Sequence, residues 1–201
     1  MQALKGSLVA LVTPLSSDGE VDYTALKGLV EWHIEQGTHG IVSVGTTGEA
    51  PTLSVNEHSK VIAKTVEYVN ARVPVIAGTG GNSTRDSIAL TKYAKEVGAD
   101  FCLLVTPYYN KPNQEGLLRH FLSIAESVDI PQILYNVPSR TACDILPSTV
   151  KILANHKNIV GIKEALDDMN RIKELIEISY TIRSRKDFYI YSGDDPTFLA
   201  S

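Results

Sequence analysis

The feature that most constrains this chain is a sevenfold alternation. Short apolar or β-branched runs occur at SLVALVT (7–13), GIVSVG (40–45), VPVIAG (73–78), DFCLLVT (100–106), PQILYN (131–136), NIVGIKE (158–164) and DFYIYSG (187–193). Amphipathic segments near 22–36, 54–70, 84–97, 114–127, 147–154 and 168–182 lie between them. The runs carry almost no polar interruption, the pattern of parallel strands covered on both faces. They recur every roughly 26 to 33 residues, about one βα unit each. Two architectures fit: an open doubly wound sheet and a (β/α)8 barrel. A dinucleotide-binding sheet calls for GxGxxG after an early strand, and the first run here ends in TPLSSDGE, which is no phosphate fingerprint. A (β/α)8 TIM barrel is therefore expected, with its chemistry at the C-terminal strand ends. Such a barrel takes about 250 residues, and the chain has 201. One incomplete barrel domain over 1–201, lacking strand 8, is the expectation.

Local signals mark the helix starts. Asp22 precedes YTALKGLVEWHI, and Ser54 has Glu57 three residues on, a capping box. Ser83 or Thr84 opens the next helix, and Gly98 closes it as a C-cap.

Composition excludes several functions. The net charge is -4, which disfavours nucleic acid as a partner. Cys102 and Cys143 are far apart and form no CxxC pair, so free thiols in a reducing, cytoplasmic setting are expected. The apolar stretch before Pro14 is too short to span a membrane. No pair among His33, His39, His58, His120 and His156 has metal spacing. Asp194-Asp195 before Pro196 reads as a helix cap rather than a metal site. No metal is expected. GK[ST] and GxSxG are absent.

The strand ends are chemically rich: GTTGEAPT (45–52), GTGGNST (78–84), TPYYNKPNQEG (106–116), YNVPSRT (135–141), KEA (163–165) and SGDD (192–195). Lys163 ends the sixth run. Strict alternation puts Ile159, Gly161 and Lys163 on one face and Val160 and Ile162 on the other, with Gly161 leaving room beside the lysine. A desolvated lysine has a lowered pKa and can attack a carbonyl to form a Schiff base. An ion pair with Glu164 or an aspartate is the alternative. Tyr135, ending the neighbouring run, could shuttle protons or serve as a core tyrosine. The GTTGE turn could present N–H groups and the Thr46 or Thr47 hydroxyl to a carboxylate, or be a plain glycine turn. Arg140, in a loop after Pro138, could grip a carboxylate bidentately or be solvated.

Together SLVALVTP, GIVSVGTTGEAPTLS, PVIAGTG, VTPYYNKPNQEGL, PQILYNVPSRT, NIVGIKEA and YSGDD resemble, in order along all 201 residues, the dihydrodipicolinate synthase family. The resemblance implies condensation of pyruvate with L-aspartate-4-semialdehyde in diaminopimelate and lysine biosynthesis. It implies that Lys163 forms the pyruvate Schiff base and that Tyr135 relays protons with Thr46. Tyr109 would complete the relay from a neighbouring subunit. Thr46 and Thr47 would hold the pyruvate carboxylate, and Arg140 that of the semialdehyde. No cofactor is implied, since the imine is the electron sink. A homodimer or homotetramer is implied. His58, Asn82, Asp86 and Tyr108 match a lysine-effector site, with Asp86 where a glutamate is usual. Sibling aldolases such as N-acetylneuraminate lyase share the lysine and a tyrosine and are an alternative. The family pattern continues past SGDD with an eighth strand and a C-terminal helical domain. An impaired remnant is therefore a further alternative, and residues 1–201 alone are expected to show little activity and to aggregate.

Overall fold

Each apolar run forms a strand in the computed structural model, which describes residues 4–182 and 187–194. The strands are β1 (Leu8–Ala10), β2 (Gly40–Ser43), β3 (Val75–Gly78), β4 (Phe101–Val105), β5 (Gln132–Asn136), β6 (Ile159–Glu164) and β7 (Tyr189–Ser192). The helices are α1 (Tyr23–Glu35), α2 (Val55–Val69), α3 (Thr84–Glu96), α4 (Gln114–Ser127), α5 (Pro138–Thr141), α6 (Pro147–Leu153) and α7 (Met169–Thr181). The strands follow one another in chain order, β1 to β7. That is the order of a (β/α)8 barrel, of which the described residues supply seven strands. The chain divides into two units, one of residues up to Thr79 with Leu90–Leu103, the other of Gly80–Ala89 with the residues from Leu104 onward.

In the first unit β1, β2, β3 and the start of β4 pair in parallel, with Val9 opposite Ile41, Val42 opposite Ile76 and Ala77 opposite Cys102. All four residues of β2 and of β3 are buried, as continuous apolar runs demand. Asp22 caps α1 by accepting from the Thr24 and Ala25 N–H groups. Ser54 and Glu57 form the full capping box of α2. The Thr65 hydroxyl on α2 lies 2.9 Å from that of Ser43 on β2, so both buried hydroxyls are satisfied. β1 is shorter than its run and only half-buried.

In the second unit β5, β6 and β7 pair in parallel. Their helix-facing side chains join Leu117, Phe121 and Ile124 of α4, Val150 and Leu153 of α6, and Leu175 and Ile178 of α7 in one core. Phe121 and Leu134 are fully buried. Truncating such an aromatic costs about 3–5 kcal/mol. Ser83 accepts from the Asp86 N–H at the start of α3. Gly98, in the first unit, takes the left-handed conformation expected of a C-cap, with φ 94°. Cys102 and Cys143 are both buried and free.

One expectation fails at β6. The β5–β6 register shifts between Gln132 and Ile133, which pair with Ile159 and Gly161. The bulge breaks strict alternation. Ile159 consequently shares the helix-facing core with Ile162 instead of a face with Lys163.

Candidate active site

Lys163 is the penultimate residue of β6, at its C-terminal end, and is half-buried. Its register partners are Tyr135 on β5 and Tyr191 on β7. Residues in register on neighbouring strands point to the same side of a sheet, so the lysine stands between two tyrosines. Its Nζ lies 4.5 Å from the centre of the Tyr135 ring, a cation–π distance when the amine is protonated. Tyr135 is buried. Burial holds the Tyr191 phenol above its ordinary range, with Tyr189 adding to the shift. Sequence reasoning missed Tyr191; only the pairing register reveals it.

Two glycines shape this place. A Cβ on Gly161 would fall 2.5 Å from the Tyr189 carbonyl oxygen. Gly161 therefore admits the close approach of β7, and the space expected beside the lysine is filled by Tyr189. A Cβ on Gly193 would fall 2.6 Å from Lys163 Cε, so the lysine stem runs over the glycine of SGDD. Asp194 follows, its N–H donating to the Ser192 hydroxyl. Asp195 lies outside the described residues.

Glu164 does not spend its charge on the adjacent lysine. Its carboxylate, 1% exposed, accepts from Arg171 Nε at 2.7 Å and Asn136 Nδ2 at 3.0 Å, and from the Ala165 and Leu166 N–H groups. Arg171 also donates to Asp144 at 3.2 Å and to the Ile145 carbonyl. Asn136 donates to Asp144 and accepts from the Ile145 N–H. Burial raises the Glu164 carboxyl above its usual range, against the opposing pull of Arg171 and Asn136. This four-residue network lies on the other side of β5 and β6 from Tyr135 and Lys163.

Arg140 is exposed and sits on α5, a one-turn helix where sequence pointed to a loop. Pro138 opens that turn, as its fixed φ favours. Thr141 closes it, donating to the Cys143 carbonyl at 2.9 Å and accepting from the Thr106 hydroxyl at the end of β4. Tyr109 is 91% exposed with φ 70°. The loop that projects it is tied down by Asn110, whose Nδ2 donates to the Asn82 carbonyl at 3.0 Å.

Thr46 and Thr47 belong to the first unit, exposed in the turn after β2. The Thr13 hydroxyl donates to the Gly48 carbonyl at 2.7 Å, and the Glu49 N–H donates to the Thr46 carbonyl at 3.0 Å. The turn begins at Val44, whose φ of 54° is an outlier for a β-branched residue and costs on the order of 1–3 kcal/mol. The Val44 carbonyl oxygen would lie 2.1 Å from a Cβ on Gly78, so that glycine admits the strained turn.

His58 is buried, its Nε2 2.7 Å from the Gly78 carbonyl, and burial lowers its pKa. Asn82, Asp86 and Tyr108 lie in the other unit. Asp86 is exposed, 3.7 Å from Arg85, while Asn82 and Tyr108 are half-buried. Among the described residues no helix is long and apolar enough to cross a membrane.

Residues 3–201 match the model of the dihydrodipicolinate synthetase family. The 4-hydroxy-tetrahydrodipicolinate synthase of Ectopseudomonas mendocina is 60% identical over 96% of this chain and 65% of its own length. That of Alcanivorax borkumensis is 59% identical over 98% of this chain and 65% of its own. A crystal structure of the chloride-inhibited dihydrodipicolinate synthase of Acinetobacter baumannii, complexed with pyruvate, superposes with a TM-score of 0.92 at 56% identity. It covers 97% of this chain, which spans 65% of that one. The chain thus spans about 65% of the length of the relatives it matches.

Proposed function

The chain belongs to the dihydrodipicolinate synthetase family, and on that premise we propose that the protein acts in condensing pyruvate with L-aspartate-4-semialdehyde. The observation that carries this is Lys163 at the C-terminal end of β6, its Nζ 4.5 Å from the Tyr135 ring centre, in a chain 60% identical to a 4-hydroxy-tetrahydrodipicolinate synthase. The neutral amine attacks the pyruvate carbonyl carbon, and the carbinolamine loses water to give an imine. Loss of a methyl proton gives the enamine, whose carbon attacks the aldehyde. The semialdehyde's own amine then displaces Lys163 from the imine carbon and frees it. Each step moves a proton, and Tyr135 is the proposed carrier, working with Thr46 and with Tyr109 of a second copy. The exposure and positive φ of Tyr109 suit a side chain that reaches outward. Thr46 and Thr47 are the proposed holders of the pyruvate carboxylate and Arg140 of the second carboxylate. The imine carries the electrons, so the chemistry needs no separate cofactor.

The same reading makes the working assembly a homodimer or homotetramer and its place the cytoplasm. His58, Asn82, Asp86 and Tyr108 are the proposed effector positions. The test is borohydride reduction with pyruvate, followed by peptide mapping, and pyruvate consumption with and without the semialdehyde. In the chain extended with a relative's C-terminal third, a carboxyethyl group on Lys163 and semialdehyde-dependent consumption are expected. Labelling elsewhere with Lys163 unmodified, or consumption indifferent to the semialdehyde, overturns the proposal.

A further inference from the structure

Lys163 and Glu164 are consecutive, so their Cα atoms are about 3.8 Å apart while their side chains leave opposite faces of β6. Unpaired, a buried glutamate so close would hold the lysine as an ammonium, the unreactive form. Arg171, 8% exposed on the first turn of α7, takes that charge through Nε at 2.7 Å. It also pairs with Asp144 at 3.0 Å. The pairing is built in from several sides. Asp168 caps α7 and accepts from the Arg171 N–H, which fixes where the arginine leaves the helix. Asn136, in register with Glu164 as Tyr135 is with Lys163, bridges Glu164 and Asp144. The lysine–tyrosine pair and the glutamate–asparagine pair are thus the two faces of one register.

We propose that Arg171 is a positioning residue for Lys163, masking the Glu164 carboxylate so that the amine is available as a nucleophile and locking β6 to β5 behind it. This rests on the Schiff-base role of Lys163. Ionised, the network holds two carboxylates against one guanidinium, so one excess negative charge lies behind the lysine. Among the described residues the flanking elements also carry Tyr135 on β5, Tyr189, Tyr191 and Asp194 on or just past β7, Arg140 on α5, Asp167 and Asp168 just before α7, and Lys173, Glu174, Glu177 and Tyr180 on it. They stay constant in the variants that follow.

The test is the pH midpoint of imine trapping at Lys163, measured with pyruvate and cyanoborohydride by peptide mass. It compares the parent protein with Arg171→Met, Glu164→Gln and the double variant. Arg171→Met adds one uncompensated negative charge. Loss of the guanidinium raises the Glu164 carboxyl further; at alkaline pH, where Glu164 is ionised beside the Asn136, Ala165 and Leu166 donors, the midpoint moves up by about one pH unit. Glu164→Gln removes a negative charge and moves it acid. The double variant restores the parent's charge and its midpoint. A residue that only supports the fold changes stability and leaves all four midpoints together, and that result overturns the proposal. So does a double variant that keeps the Arg171→Met shift. If Arg171→Met gives no folded protein, Glu164→Gln against the parent decides, and an unmoved midpoint overturns the proposal. Absence of any Lys163 adduct in the parent instead overturns the Schiff-base role itself.

Discussion

Lys163 and Tyr135 stand in register on adjacent parallel strands, with the lysine Nζ 4.5 Å from the centre of the tyrosine ring. The ring face and the phenol hydroxyl are separable parts of this relationship. The face can hold the amine in place, and the hydroxyl can move protons.

Tyr135→Phe keeps the face and removes the hydroxyl. Pyruvate should still be trapped on Lys163, with the rate of imine formation reduced by roughly a hundredfold, the lower end of what a positioned proton carrier contributes. Stopped-time borohydride trapping measures this. An unchanged rate would reduce Tyr135 to a packing role.

Gly161→Ala and Gly193→Ala should behave differently although both place a Cβ in an occupied position. At Gly161 the clash is with the Tyr189 backbone, 2.5 Å away, which cannot yield without moving β7. Urea denaturation should show a loss of about 1–3 kcal/mol, as overpacking costs. At Gly193 the nearest atom is Lys163 Cε at 2.6 Å, on a stem that can rotate aside. Stability should change little while trapping at Lys163 falls. Equal stability losses would refute this distinction.

In the chain extended with a relative's C-terminal third, Arg140→Ala should weaken use of the semialdehyde by roughly ten- to a hundredfold, the worth of a charge-assisted bond, while pyruvate trapping persists. Steady-state kinetics in each substrate separate the two effects. Parallel loss of both would make the arginine structural.

His120 is a reporter of pH-dependent stability in the second unit. It is 5% exposed, and Nδ1 lies 2.8 Å from the Thr84 hydroxyl. Burial pushes its pKa down to about 4, below the ordinary value near 6.5. The unfolded chain therefore takes up the proton first as pH falls. This contribution is full above the unfolded value and is lost as pH drops toward the folded one. It is worth on the order of 2 kcal/mol between pH 7.5 and pH 5. Urea midpoints at those two pH values should differ by less in His120→Gln than in the parent. An identical pH dependence would show that His120 is not the group responsible.

Much of this architecture is legible in the one-dimensional pattern. Runs such as VPVIAG and PQILYN are apolar throughout because both faces of their strands are covered, and that property needs no partner to be read. The caps at Asp22 and Ser54 are equally local, since each side chain bonds a backbone N–H within three residues. The same holds for the candidacy of Lys163, Tyr135, Arg140 and the two threonines, which follows from reactive side chains at the C-terminal ends of apolar runs. Tertiary structure decided what depends on residues far apart in the chain. The bulge at β6 moves Ile159 to the helix side, because register is a property of two strands. Gly161 answers to a carbonyl of β7, and Gly193 to the stem of Lys163, both some thirty residues distant. Glu164 could have paired with the lysine beside it. It pairs with Arg171 because alternation sends the two side chains to opposite faces of the strand, and α7 delivers the guanidinium to the glutamate's side.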